Sequence, residues 1–231
     1  MRLLATVMAC LLLTGTALAG SPVDNAAYEH ERVPCDMQYV CIDWDFTLGD
    51  QGFATGACDA TGGLPVWAWG TSTVPGAPGT VWGTVLNANY PNNMGDALIA
   101  PAFTVTDCCH LLEVYHYYYF ENNFDGSNVK ANGVLITPVG GYDATISTST
   151  TYYAYCVDNE PGFTGSFGTS WAWDCWDLSQ FMGQSVELTF EVGSDSSVTY
   201  PGWYIAQIRI GGQMPSPADE STWGRIKGAF K

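Results

Sequence analysis

The chain has 231 residues, 47% hydrophobic and 14% aromatic, with 7 Lys and Arg against 23 Asp and Glu and a formal charge of -16. That balance excludes a nucleic-acid grip, which needs a Lys/Arg surface to displace counterions from phosphates. The 9 Trp, 13 Tyr and 10 Phe exclude intrinsic disorder and supply a sizeable core, in one large or two small domains.

Residues 1–19 read as a secretory signal peptide: Arg2 is the positive end, residues 3–13 are apolar apart from Thr6, and Ala17-Leu18-Ala19 is the small-x-small cleavage pattern. The leader is short for a bilayer span, and no later run reaches the roughly 18 apolar residues a spanning helix needs. The expected product is a secreted protein, extracellular or in the cell envelope, without a membrane span. Loss of Arg2 leaves 6 basic against 23 acidic groups. No Asn-x-Ser/Thr acceptor occurs, which favours a bacterial source.

Residues 20–42 form an N-terminal extension carrying Cys35 and Cys41. Cys10 leaves with the leader, so seven cysteines remain and one has no partner within the chain. Closeness in sequence pairs Cys35 with Cys41, and Cys156 with Cys175 across a Gly-rich excursion. Cys58 then takes Cys108 or Cys109, not both, because neighbouring strand residues point to opposite faces. Zinc is disfavoured, since close Cys-x-x-Cys pairs with His partners are missing.

From residue 43 to 212 the pattern is β throughout. Leu112, Val114, His116, Tyr118 and Phe120 alternate with Glu113, Tyr115, Tyr117 and Tyr119, a period of two. Val186, Leu188, Phe190 and Val192 alternate with Glu187, Thr189 and Glu191, and Trp203 to Ile210 supply a last strand. Asp125-Gly126 predicts a hairpin between residues 117–120 and 129–137. Many short strands punctuated by Gly, Pro and Asn predict an all-β, two-sheet antiparallel sandwich of the jelly-roll kind. Residues 213–231 read as a linker and a basic tail, Trp223-Gly-Arg-Ile-Lys-Gly-Ala-Phe-Lys, with three of the mature chain's basic residues; the tail is either a docking or sorting peptide or a frayed terminus.

A family resemblance rests on the order of several short motifs. They are Asp45-Phe46, Gly52-Phe53, Trp67-Ala-Trp69-Gly70, Trp82-Gly-Thr84, Asn89-Tyr90, Leu98-Ile-Ala-Pro101, Trp173 with Asp177-Leu178-Ser179, Gly183-Gln-Ser-Val186, Gly193-Ser-Asp195 and Gly202-Trp-Tyr-Ile205. From about Asp43 to Gly211 the chain resembles the MAM-like jelly-roll modules. Those accompany immune inhibitor A-type metallopeptidases and occur in exported bacterial adhesion and carbohydrate-binding proteins. The resemblance implies a structural calcium between carboxylates of the terminal strands. Two departures weaken that site: Thr47 follows Phe46 where the family has Glu, and Ala206-Gln207 follow Ile205 where it has Asp-Asp. Asp43 and Asp45 share a strand face and are candidates to compensate.

Catalytic patterns are poor. His30, His110 and His116 make no His-Glu-x-x-His, and Gly168-Thr-Ser170-Trp-Ala172 fails the last glycine of a nucleophile elbow. Glu187 with Glu191, and Asp43 with Asp45, could pair as in a glycosidase, but alternating acids on a wet strand face explain them as well. A calcium site has a second candidate in Glu121, Asn123 and Asp125 before Gly126, with oxygen ligands at alternate positions. Asn132 stands where the closing Glu belongs, and a plain turn at Asp125-Gly126 accounts for the same residues.

Aromatics are the best binding candidates. Trp67 and Trp69 fall on one face of an extended segment, as do Trp171 and Trp173, with Trp82 and Tyr90 near in motif order; exposed, such rings stack on sugars. Tyr115, Tyr117 and Tyr119 suit either a second layer or a contact surface. The expectation is a non-catalytic binding or adhesion module for carbohydrate or a cell-surface protein. Behind it stands a structural protein self-assembling through the odd cysteine and exposed Tyr/Trp surface, and third a glycan hydrolase.

Overall fold

The computed structural model describes residues 31–58, 63–147, 153–166 and 170–213; the leader, Cys10, His30 and the basic tail lie outside them. In chain order the strands are β1 (Tyr39–Asp45), β2 (Ala54–Gly56), β3 (Trp67–Thr71), β4 (Thr80–Thr84) and β5 (Gly95–Ile99). Next come β6 (Phe103–Thr104), β7 (Leu111–Tyr119), β8 (Gly126–Ala131), β9 (Val134–Ile136) and β10 (Ala144–Thr145). The last are β11 (Pro161–Gly162), β12 (Ala172–Asp177), β13 (Ser185–Val186), β14 (Leu188–Gly193) and β15 (Gly202–Gly212). One sheet runs β12-β7-β15-β4-β3, with β1 on the far half of β15. The other runs β2-β5-β14-β8-β9, and every strand pair in both is antiparallel. The result is an all-β jelly-roll sandwich.

Alternation makes the sandwich. Leu112, Val114, His116 and Tyr118 of β7 face inward against Leu188, Phe190 and Val192 of β14, all fully or almost fully buried. On β15 the inward set changes parity, from Trp203 and Ile205 to Ile208 and Ile210. A bulge between Ile205 and Gln207 inserts one residue opposite β7 and lets both halves keep their apolar side chains in the core. Asp125-Gly126 is not a hairpin. β7 and β8 belong to different sheets, so these residues form a corner that carries the chain across the sandwich. The two-residue hairpin is Asn132-Gly133, both with positive φ, joining Ala131 of β8 to Val134 of β9.

The outer face of the β14 sheet is closed by the chain itself. Gly193 sits in register with Gly95 on one side and Gly126 on the other, a row of three glycines across adjacent strands. Tyr155 and the Ala154 backbone rest where side chains of Gly95 and Gly193 would stand, and Ile146 lies over Gly126. Ile146, Ala154, Cys156 and Val157 thereby form a second small core. Lys130, paired at 2.9 Å with both Glu160 and Glu191, and the Cys58–Cys156 disulfide fasten this cover.

All the expected disulfide pairings are corrected: the bonds are Cys35–Cys175, Cys41–Cys109 and Cys58–Cys156. Cys35 and Cys41 cannot close a small loop because the chain between them runs out into β1, where extended residues advance about 3.3 Å each. Cys156 lies in the cover over the β14 sheet and Cys175 in β12 of the opposite sheet. Cys109 is bonded while Cys108 keeps a free, half-buried thiol.

The N-terminal arm also plugs the core. Arg32, whose side chain is 6% exposed, reaches Asp174 at 2.9 Å and lies over the ring of Tyr118. Trp203 Nε1 donates to His116 Nδ1 at 2.7 Å, which fixes the ring proton on Nε2, 2.8 Å from the Asp174 carboxylate. Arg32 is therefore the charge that balances a buried Asp174, and Cys35–Cys175 anchors the arm three residues later.

Candidate functional site

Among the described residues, the outer face of the other sheet is only partly covered: the N-terminal arm lies over Cys175 and Glu113 and leaves the aromatic side chains beside them half-buried. Tyr115 of β7 and Trp171 and Trp173 of the β12 edge are half-buried there. Tyr115 stacks on Trp173 at 5.0 Å and meets Trp171 at 5.7 Å; Trp171 in turn meets Tyr117 at 6.0 Å. The guanidinium of Arg209 lies 4.4 Å from the centre of the Trp173 ring. Toward β4, Tyr117 and Tyr204 are buried with Val74, and Trp171 Nε1 donates to the carbonyl of Pro75, so residues 72–79 cover that half. Farther along, Tyr119 stacks on Tyr200 at 4.4 Å.

The other aromatic candidates are placed differently. Trp67 and Trp82 are each 7% exposed and Tyr90 1%, so all three are core side chains and none is an exposed stacking platform. Trp67 packs on Trp203, Trp82 Nε1 donates to the Asp50 carbonyl, and Tyr90 packs on Phe120. Motif order brings them together but does not state that these side chains point inward. Trp69, in the middle of β3, is 41% exposed, with Nε1 given to the Phe46 carbonyl. Beside β3 an open cleft of about 530 Å³ is lined by Thr55, Pro65, Trp67, Leu86, Asn87 and Asp96. The Asp96 carboxylate there already accepts the N–H groups of Val66, Trp67 and Ala97.

At one end of the sandwich the corner between β7 and β8 meets the end of β14. Carboxylate oxygens of Glu121, Asp125 and Asp195 all lie within 4.8 Å of one another. Asp125 is fully buried and accepts the Tyr90 hydroxyl and the Asp195 N–H, both at 2.7 Å. Burial raises Asp125 to about 8 against the opposing hydrogen bonds from Tyr90 and the Asp195 N–H, with smaller upward pushes from the Asp195 and Glu121 charges; burial and then Asp195 raise Glu121 to about 7. Oε2 of Glu121 is buried without a hydrogen-bond partner among the described residues. Three acids crowded out of water favour either shared protons or a hard cation, so this triad could hold a metal ion. Asn123 is not one of the three: its N–H donates to Thr164 and its backbone takes the left-handed conformation. The closing carboxylate missed in the sequence is Asp195, 70 residues beyond Asp125 and brought to it by topology.

Where the resemblance implies calcium between terminal strands, protein groups fill the role. Gln207 Nε2 donates to Asp43 at 2.6 Å, and Arg209 lies 3.9 Å from Asp43 and 3.8 Å from Glu113. Asp45 is used by the backbone and hydroxyl of Thr47. Paired acids do not converge for hydrolysis either: Glu191 is bound to Lys130 beneath the cover, while Glu187 is exposed. No described helix is long and apolar enough to cross a membrane.

Comparison with known proteins gives the chain a few distant likenesses. No family model matches. Bacillopeptidase F of Bacillus subtilis is 28% identical over 184 residues; the match covers 76% of this chain but only 12% of that protein's length. Among solved structures, CBM35 from Paenibacillus barcinonensis aligns with 74% of this chain and 99% of its own, at 16% identity and a TM-score of 0.37. The K1 cleaved adhesin domain of Lys-gingipain from Porphyromonas gingivalis W83 aligns with 74% of this chain and 98% of its own, at 13% identity and a TM-score of 0.39.

Proposed function

We propose that the chain is an exported, non-catalytic binding or adhesion module that meets a glycan or a cell-surface partner through the open face bearing Tyr115, Trp171 and Trp173. One observation carries this reading: the two outer faces are treated differently, the β14 sheet being sealed by its own chain and the β7 sheet leaving a band of stacked rings at the surface. Half-buried aromatic groups held by their neighbours lose little freedom on contact, which suits recognition. The test is binding of the mature chain to glycan arrays and intact cells. Binding should be lost in Tyr115→Ala and Trp173→Ala with the far-ultraviolet spectrum unchanged; binding indifferent to both changes refutes the face assignment.

The triad of Glu121, Asp125 and Asp195 supports a structural calcium as the ion it would take, because three carboxylates form a charge-dense oxygen cage. Bound there, the ion would tie the β7–β8 corner to the end of β14 and replace the protons those acids otherwise share. The assembly reading keeps one supporting feature, the free thiol of Cys108, and non-reducing gels with Cys108→Ser test it.

A further inference from the structure

We infer that the partner of the open face is a polypeptide surface carrying Lys or Arg, an inference that rests on the binding reading above and names its ligand. Sugar recognition by stacking needs a free aromatic plane onto which a pyranose can lie. Trp173 does not offer one freely, because Tyr115 stacks on it at 5.0 Å and the Arg209 guanidinium lies over it at 4.4 Å. Tyr115 is in turn shared between Trp173 and Trp171. Rings held against one another in this way leave fewer free planes, and Trp171 is further fixed by its N–H on the Pro75 carbonyl; rigid Tyr and Trp groups of this kind are what protein contact surfaces use.

Charge selects the sign of the partner. Arg209 is the single cation of this patch among the described residues, and it is matched by two carboxylates, Asp43 and Glu113, within 3.9 Å. Asp43 remains 47% exposed, and the whole chain carries -16. The patch is left with excess negative charge at the rim, in a field that repels acidic polymers and draws cationic side chains in. A second copy of this chain, equally acidic, is disfavoured by the same field.

The test uses the mature chain and defined probes. A synthetic peptide alternating Arg and Tyr, its Glu/Tyr counterpart, cellohexaose and xylohexaose are titrated against the native protein and against Tyr115→Ala, Trp173→Ala and Asp43→Lys. The Arg peptide should bind, the Glu peptide should not, and affinity should fall roughly threefold to tenfold as salt is raised. Asp43→Lys, taken with an unchanged far-ultraviolet spectrum because Asp43 also holds Gln207 and Arg209, should weaken the Arg peptide by a similar factor. Binding of an oligosaccharide, lost in Trp173→Ala while the Arg peptide stays silent, overturns the polypeptide inference and keeps the binding reading. A dimer dissolved by Trp173→Ala overturns the basic partner in favour of self-association. Silence of every probe overturns the inference, and indifference of intact-cell binding to Tyr115→Ala and Trp173→Ala overturns the face assignment beneath it.

Discussion

The two outer faces of the sandwich are built from opposite materials. Across β5, β14 and β8 the side chains are withdrawn to a row of glycines, and the chain lies directly on the sheet backbone. Across β12, β7 and β15 they are enlarged to Trp, Tyr and Arg; the N-terminal arm lies over Glu113 and Cys175, while Tyr115, Trp171 and Trp173 beside them stay half-buried. A face closed by its own chain contributes to stability; a face that keeps large rings at the surface gives up some of that burial and retains a contact surface. The two should therefore respond differently to substitution, one in melting temperature and the other in binding.

A reference for damage to the fold that touches neither face is Arg32→Met, which leaves Asp174 buried without its guanidinium. It should cost about 3–5 kcal/mol, read as the loss in urea or thermal unfolding. On the closed face, Gly193→Val places a branched side chain against Ala154 and Val157 and should cost about 1–3 kcal/mol, or more if the cover detaches. An unchanged melting temperature there would remove the claim that this cover is part of the fold.

Between the two faces, the acid triad gives a pH and metal response. The folded-state values of Glu121 and Asp125 are raised, to about 7 and about 8, so the folded chain holds protons that the unfolded chain releases near pH 4. Their contribution is full below the unfolded values and is lost as pH rises through 7 and 8, so with chelator present the melting temperature should fall over that range. Millimolar calcium should reverse the fall at pH 8, and Asp195→Asn should blunt the reversal; a calcium-indifferent melting curve dismisses the ion. Smallest in stability is Trp173→Ala on the open face, expected to cost about 1 kcal/mol or less while abolishing partner binding. A large drop in melting temperature would show that this face, too, is structural.

Much of the sandwich was legible because alternation is a local property. The β7 and β14 patterns state which side chains point inward, and the parity change between Ile205 and Ile208 encodes the bulge. Which strands share a sheet is not local, and that is why Asp125-Gly126 looked like a hairpin when it is a corner. The same limit explains the cysteines: nearness in sequence paired Cys35 with Cys41, whereas extension of β1 and the stacking of sheets set the actual bonds. For the site, the sequence offered the rings and two of the three acids of the triad. Burial of Trp67 and Trp82 depended on which face of each strand met the core, that of Tyr90 on how the connection between β4 and β5 folds, and Asp195 joined Glu121 and Asp125 only through the strand order.

β15 runs through the middle of its sheet, bonded to β7 on one side and to β4 and then β1 on the other, yet it is the last strand of the described chain. The keystone thus arrives last. A nascent polypeptide lacking residues 202–212 has no way to join its first strand to the rest of that layer, so assembly waits until nearly the entire length has been synthesised.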